Sequence, residues 1–117
     1  MDVEYSIDSQ NTDQEKLILV RSGYQAEETE IRILLPDAEA KRIVYLLPVE
    51  PFGQSRFGSG YDVVRQLNLH NQYAAVVVSP TFSDWPWYGN HPSNECIQQE
   101  AYFIDHVVAY VDTLYPR

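Results

Sequence analysis

Three histidines, one free cysteine and a run of bulky aromatic side chains are the residues with chemistry in this sequence of 117. The densest stretch is "SPTFSDWPWYGNHPSNE", Ser79 to Glu95, which holds Asp84, Trp85, Trp87, Tyr88 and His91. Indole and phenol rings offer apolar walls with a polar handle, the combination that lines small-molecule pockets. Asp84 and His91 also offer an acid/base pair, which needs a nucleophile or a positioned water to do work. "GSG" at Gly58 to Gly60 contains a serine, but it lacks the G-x-S-x-G spacing of a nucleophile turn and sits about ten residues past the nearest strand. Ser59 therefore reads as a helix cap. His70 reads as the exit of a short helix, and His106 as a solvated position on a long one. No His, Cys or Asp pair has metal-ligand spacing, and "GQSRFGSG" is no phosphate loop, so neither metal nor cofactor is expected.

The elements that must position these residues change character near residue 41. Val3 to Ile7, Lys16 to Arg21 and Glu30 to Leu35 read as strands separated by the polar turns "NTDQE" and "SGYQAEE", an antiparallel meander. Beyond residue 41, Arg42 to Val49 and Tyr73 to Ser79 are apolar on both faces, as in strands covered by helices on both sides. Between them, Ser59 caps a helix from Gly60 to about Leu69, with Asp62 as capping-box partner. After the aromatic loop, Ser93 or Asn94 caps a helix. Its apolar stripe runs Ile97, Ala101, Ile104, Val108, Val111 and Tyr115, and Pro116 ends it. The expected fold is α/β: antiparallel lead-in strands over 1–41, then a βαβα unit with parallel strands over 42–117, within a single partial domain. Strand 42–49 is apolar enough for the centre of a sheet, yet these elements leave it at risk of a bare edge.

Composition sets outer bounds. Seventeen acids against eight bases give a formal charge of −9, which argues against nucleic acid or an anionic membrane as partner. The longest apolar run, Tyr73 to Val78, is far short of the roughly 20 residues of a membrane span. The start, MDVEYSIDSQ, has no signal-peptide pattern. With one cysteine, Cys96, no internal disulfide forms, and a cytoplasmic location is expected.

"RIVYLLPVEPFG", "YAAVVVSPTFSDWPWYGNHP" and "NECIQQEAYFIDHVVAYVDTLYP" together resemble the N-terminal half of esterases of the α/β-hydrolase superfamily, in the style of the esterase-D-like and enterochelin-esterase-like enzymes. The resemblance covers Arg42 to Arg117 and is most specific at P-W-Y-x-x-H-P followed by Q-E-x-Y-x-x-x-x-V. It implies a serine carboxylesterase in which the backbone N–H groups of Val49 or Glu50 serve the oxyanion hole. It also implies that Trp85, Trp87, Tyr88 and His91 line the substrate pocket, with a small-molecule ester as substrate. The glycine-flanked serine, the acid and the histidine of such enzymes have no counterpart here. The resemblance thus implies an N-terminal fragment, inactive alone, that self-associates or pairs with a C-terminal half. The alternative is a stand-alone, non-catalytic module that binds through the aromatic loop 80–92.

Overall fold

The computed structural model describes residues 2–8, 10–48, 51, 59–84 and 89–116. It is a mixed α/β protein built on one five-stranded sheet, β1 (Val3–Ile7), β2 (Glu15–Ser22), β3 (Thr29–Leu34), β4 (Arg42–Tyr45) and β5 (Ala75–Pro80), in the order β1-β2-β3-β5-β4. The meander is present: β1 pairs antiparallel with β2, Val3 opposite Ser22, and β2 with β3, Ile18 opposite Ile31. β5 then inserts between β3 and β4, antiparallel to the first and parallel to the second. The parallel pair is thus adjacent, but the sheet is mostly antiparallel.

Alternation along the strands sorts side chains to two faces. Ile18, Val20, Ile31, Ile33, Val76 and Val78 point to one face and form the main core with Phe82, Tyr102, Val107 and Val111. Each such aliphatic residue, when fully buried, contributes about 1.5–3 kcal/mol. The other face holds a smaller cluster of Leu34, Tyr61, Ala75 and Val77, with Leu46 and Val64 at its margin. This face is covered by α1 (Gly60–Leu67), followed by the short α2 (Leu69–Gln72). Ser59 caps α1 as expected, its side chain accepting from the Asp62 N–H at 3.3 Å. Asn68 ends the helix at φ 59°, a left-handed conformation Asn tolerates. Ala74 holds φ 48°, a strain of roughly 1–2 kcal/mol for an L-residue. That turn aims its carbonyl at the Lys41 N–H, 2.7 Å away, and starts the β4–β5 ladder.

Three expectations for the long helix need correction. It begins at Gln99, not after Ser93 or Asn94, and has three parts: α3 (Gln99–Ala101), a π-helical stretch Tyr102–Val108, and α4 (Ala109–Leu114). The Ala109 N–H bonds the Ile104 carbonyl five residues back, the mark of a π turn. The wider turn shifts the buried face to Tyr102, His106, Val107 and Val111, and turns Ile104 outward to 52% exposure. His106, expected in solvent, is buried for the same reason. Asn94 instead closes a local turn onto the Cys96 N–H at 2.9 Å. Asn90, eleven residues upstream of its target, supplies the oxygen that accepts from the Ala101 N–H at 3.0 Å.

β4 is shorter than the apolar run that encodes it. Its ladder covers Arg42–Tyr45, with one further bond from the Leu46 N–H to the Val78 carbonyl at 2.8 Å. Among the described residues it pairs with β5 alone, so it is an edge strand, and Val44 is 40% exposed.

Candidate functional site

The parallel strands β4 and β5 both point their carboxyl ends toward the start of the aromatic loop, where open α/β sheets place ligands. β2 also ends at that side of the sheet, since Gln25 just past it reaches Ser83 just past β5. What holds the loop's base is a buried polar network. The Gln25 side-chain carbonyl accepts from the Ser83 N–H at 3.0 Å and its hydroxyl at 3.1 Å. The Gln25 amide donates to the Gln99 side-chain carbonyl and to the Tyr24 backbone carbonyl. The Gln99 amide donates in turn to the Asp84 backbone carbonyl at 3.3 Å. The Ser83 hydroxyl accepts from the Ala26 N–H at 3.0 Å. Gln25, Ser83 and Gln99 are all buried, so each bond replaces one that water can no longer supply.

A second layer lies beneath. The Tyr102 hydroxyl is 2.6 Å from Thr29 Oγ1 and donates to the Thr81 carbonyl at 3.1 Å, and its ring packs edge-on to Phe82 at 5.3 Å. Burial pushes the Tyr102 phenol above its usual range, so it stays a neutral donor. Alongside, Ser22 Oγ and His106 Nδ1 lie 2.6 Å apart, and the Tyr24 ring stacks on the imidazole at 4.8 Å. The His106 carbonyl accepts from the Tyr5 hydroxyl at 2.6 Å. The π turn is what brings both the ring and the carbonyl of His106 to these partners.

The segment between the loop and the helix start is held by His91. Its Nδ1 accepts from the Ser93 and Asn94 N–H groups at 3.1 and 3.0 Å, while its backbone N–H donates to the Ile97 carbonyl at 2.8 Å. Gln98 bridges the His91 and Asn94 carbonyls. With Nδ1 occupied as acceptor, the ring carries its proton on Nε2 and presents a donor outward. At the same end of the sheet, a cleft of about 620 Å³ opens between the start of β1 and the β2–β3 connection. Its rim is acidic, with Asp2, Glu4, Glu27 and Glu28 against Arg21.

Of the residues singled out from sequence, Val49, Glu50, Trp85, Trp87 and Tyr88 lie outside the described residues. His91 is placed on the loop beside the helix start. Ser59 is a cap, and Cys96 is an exposed free thiol. No group of three or more His, Cys, Asp or Glu suited to a metal ion occurs among the described residues. Sequence reasoning passed over Ser22, Gln25, Thr29, Ser83, Gln99 and Tyr102. They are isolated polar residues, and Gln25 finds Gln99 across 74 positions. Only the Q-E-x-Y spelling of the helix start marked two of them in advance. Comparison with family models, with curated proteins and with solved structures finds no match.

Proposed function

We propose that this chain is the N-terminal part of a serine carboxylesterase-type hydrolase of the α/β-hydrolase superfamily, acting on small ester substrates. The observation that carries the reading is the sheet order. β5 inserts between the antiparallel meander and its parallel neighbour β4, so that two long loops leave the sheet on one side. In this reading the backbone N–H groups of Val49 or Glu50 meet the oxygen on which negative charge develops during acyl transfer. Trp85, Trp87, Tyr88 and His91 form one wall of the acyl pocket, carried on a loop whose base is pinned by Gln25, Ser83 and Gln99. The acidic rim nearby disfavours anionic esters. The 117 residues contain no G-x-S-x-G, so the nucleophile comes from outside them and this stretch alone does not turn over.

The test uses a fluorophosphonate probe and a chromogenic ester. The 117-residue chain is expected to be unlabelled and inactive. The reading of the gene past Arg117 is expected to continue into a strand and G-x-S-x-G, and the longer polypeptide to be labelled. Replacing its serine by alanine is expected to cost on the order of a millionfold in turnover. Labelling of the 117-residue chain itself, or no such serine downstream, overturns the proposal. A second reading, a non-catalytic module binding through loop 80–92, draws on the same network, because a loop anchored so firmly serves recognition equally well. Ligand-dependent tryptophan fluorescence in the 117-residue chain, abolished in Trp87→Ala, favours it.

A further inference from the structure

The end of the sheet where β2 and β5 begin, opposite the aromatic loop, carries a polar cavity of about 220 Å³. Glu15 at the start of β2, Asp37 past β3, and Arg65 and His70 from the two helices line it. His70 is only 7% exposed, and its Nδ1 has no hydrogen-bond partner. The tautomer follows from Asn71. Its Oδ1 accepts from the Asp37 N–H and its Nδ2 donates to Asn68 Oδ1, both at 2.7 Å. The amide NH2 therefore faces His70 Nε2, 3.5 Å away, so Nε2 keeps the lone pair and Nδ1 carries the proton. A contact of that length holds the ring weakly. A buried donor without an acceptor is rare in native proteins. The Asp37 carboxylate, likewise, makes no hydrogen bond or ion pair among the described residues.

We propose that this cavity binds a small zwitterion, an α-amino acid of about the size of serine, with its carboxylate on His70 and Arg65 and its ammonium on Asp37. The class of ligand follows from the charges. An anion alone would meet Glu15 and Asp37 in a chain of formal charge −9. A cation alone would meet Arg65 and leave the His70 N–H without an acceptor. A molecule carrying both signs answers each group. Arg65 spends donors on Glu15 at 3.2 Å and Asp62 at 3.1 Å, and its five N–H groups leave others for a carboxylate. The cavity is smaller than the roughly 300–1,000 Å³ of pockets for drug-sized molecules, so the ligand is small. Gln14 and Asn68 complete its lining, and such amides suit a hydroxyl side chain better than an apolar one. Nδ1 is shielded from water, so the ring turns about its Cβ–Cγ bond to meet the ligand, giving up the 3.5 Å contact to Asn71. The proposal does not depend on the hydrolase reading, since it concerns the other end of the sheet and is read from binding rather than turnover.

The test is a titration of the ¹⁵N-labelled 117-residue chain, followed at the ring nitrogens of its three histidines. L-Serine is expected to shift both nitrogens of His70 saturably and to leave those of His91 and His106 in place. 3-Hydroxypropionate, which lacks the ammonium, and ethanolamine, which lacks the carboxylate, are each expected to bind roughly tenfold more weakly or worse. Asp37→Asn alters an exposed side chain, so circular dichroism is expected to be unchanged. It is expected to weaken L-serine roughly fivefold and not to weaken 3-hydroxypropionate, which has no ammonium to lose. The ligand series needs no variant and decides the matter even if Asp37→Asn misfolds. No shift at His70 with any of the three, or a response to 3-hydroxypropionate or ethanolamine equal to that of L-serine, overturns the proposal. So does L-serine binding that is indifferent to Asp37→Asn.

Discussion

Gln99 shows how much a single side chain can organise. It is 1% exposed, accepts from Gln25 and donates to the Asp84 carbonyl, so it links the β2–β3 connection, the helix start and the aromatic loop. Leucine has nearly the same volume but neither polar atom. Gln99→Leu removes one acceptor of the Gln25 amide in a site that water does not reach. Such a lost partner costs about 1–3 kcal/mol, more than the added apolar contact returns. The variant is expected to melt at lower temperature and to be cut faster by protease within residues 80–92. An unchanged cleavage rate at lowered stability would place Gln99 in the core alone, without a part in holding the loop.

At the scale of elements, α1 is the weakest cover of the sheet. It lies over a small cluster, and Val63 and Leu67 are exposed. Polar ties to β2 supplement that packing. The Tyr61 hydroxyl donates to Glu15 at 2.9 Å, and Arg65 reaches Glu15 at 3.2 Å and Asp62 at 3.1 Å. The Arg32 guanidinium sits over the Tyr61 ring, 4.6 Å from its centre. The Tyr61 hydrogen bond is the main reason that the Glu15 carboxyl lies below its ordinary 4.5, with Arg65 adding to it against desolvation. A carboxyl depressed by folding stabilises the fold above its unfolded value, and that contribution is lost as pH falls below 4.5 through the folded value. Tyr61→Phe is expected to raise the Glu15 midpoint in a carboxyl NMR titration and to flatten the acid limb of the melt. The size is modest, since the Glu15 side chain is 42% exposed and the pair is screened. A Glu15 midpoint that stays put would give the whole shift to Arg65 and Arg32.

The same scale explains what could be read in advance. The meander was legible because Val3 to Ile7 and Glu30 to Leu35 alternate with period two between clear turns. β5 was legible because Ala75 to Val78 is buried on both faces. β4 was overextended: apolarity continues through Leu46 and Leu47, but the ladder stops at Tyr45 although β5 runs on to Pro80, and composition does not mark where pairing ends. The helix stripe failed at Ile104 because a π turn changes the period without changing the residue types that spell it. The cap failed because Asn90 reaches Ala101 over eleven positions, beyond any local pattern. The residues that pin the loop were invisible for a related reason, since their partners are set by topology and not by neighbours in sequence.

For the whole molecule, the tyrosines make alkali a sharper probe than acid. Folding raises Tyr5, Tyr61, Tyr102 and Tyr115 above the ordinary 10.0, in each case chiefly by burial. A phenol raised in the folded state stabilises the fold fully below pH 10, where both states hold the proton. As pH climbs past 10, the unfolded chain releases protons that the folded chain keeps, and stability falls. For Tyr102, fully buried, the loss is about 1.4 kcal/mol per pH unit while the folded phenol stays neutral. Deprotonation also adds negative charge to a chain already at −9, which pushes the same way. Urea melts between pH 8 and pH 12 are therefore expected to hold level to about pH 10 and then drop steeply. Tyr102→Phe is expected to start lower, because Thr29 and the Thr81 carbonyl lose their partner, and then to fall less steeply. Parallel alkaline limbs for the two proteins would mean that the Tyr102 phenol ionises as readily in the fold as out of it, and that the buried layer beneath the aromatic loop is open to water.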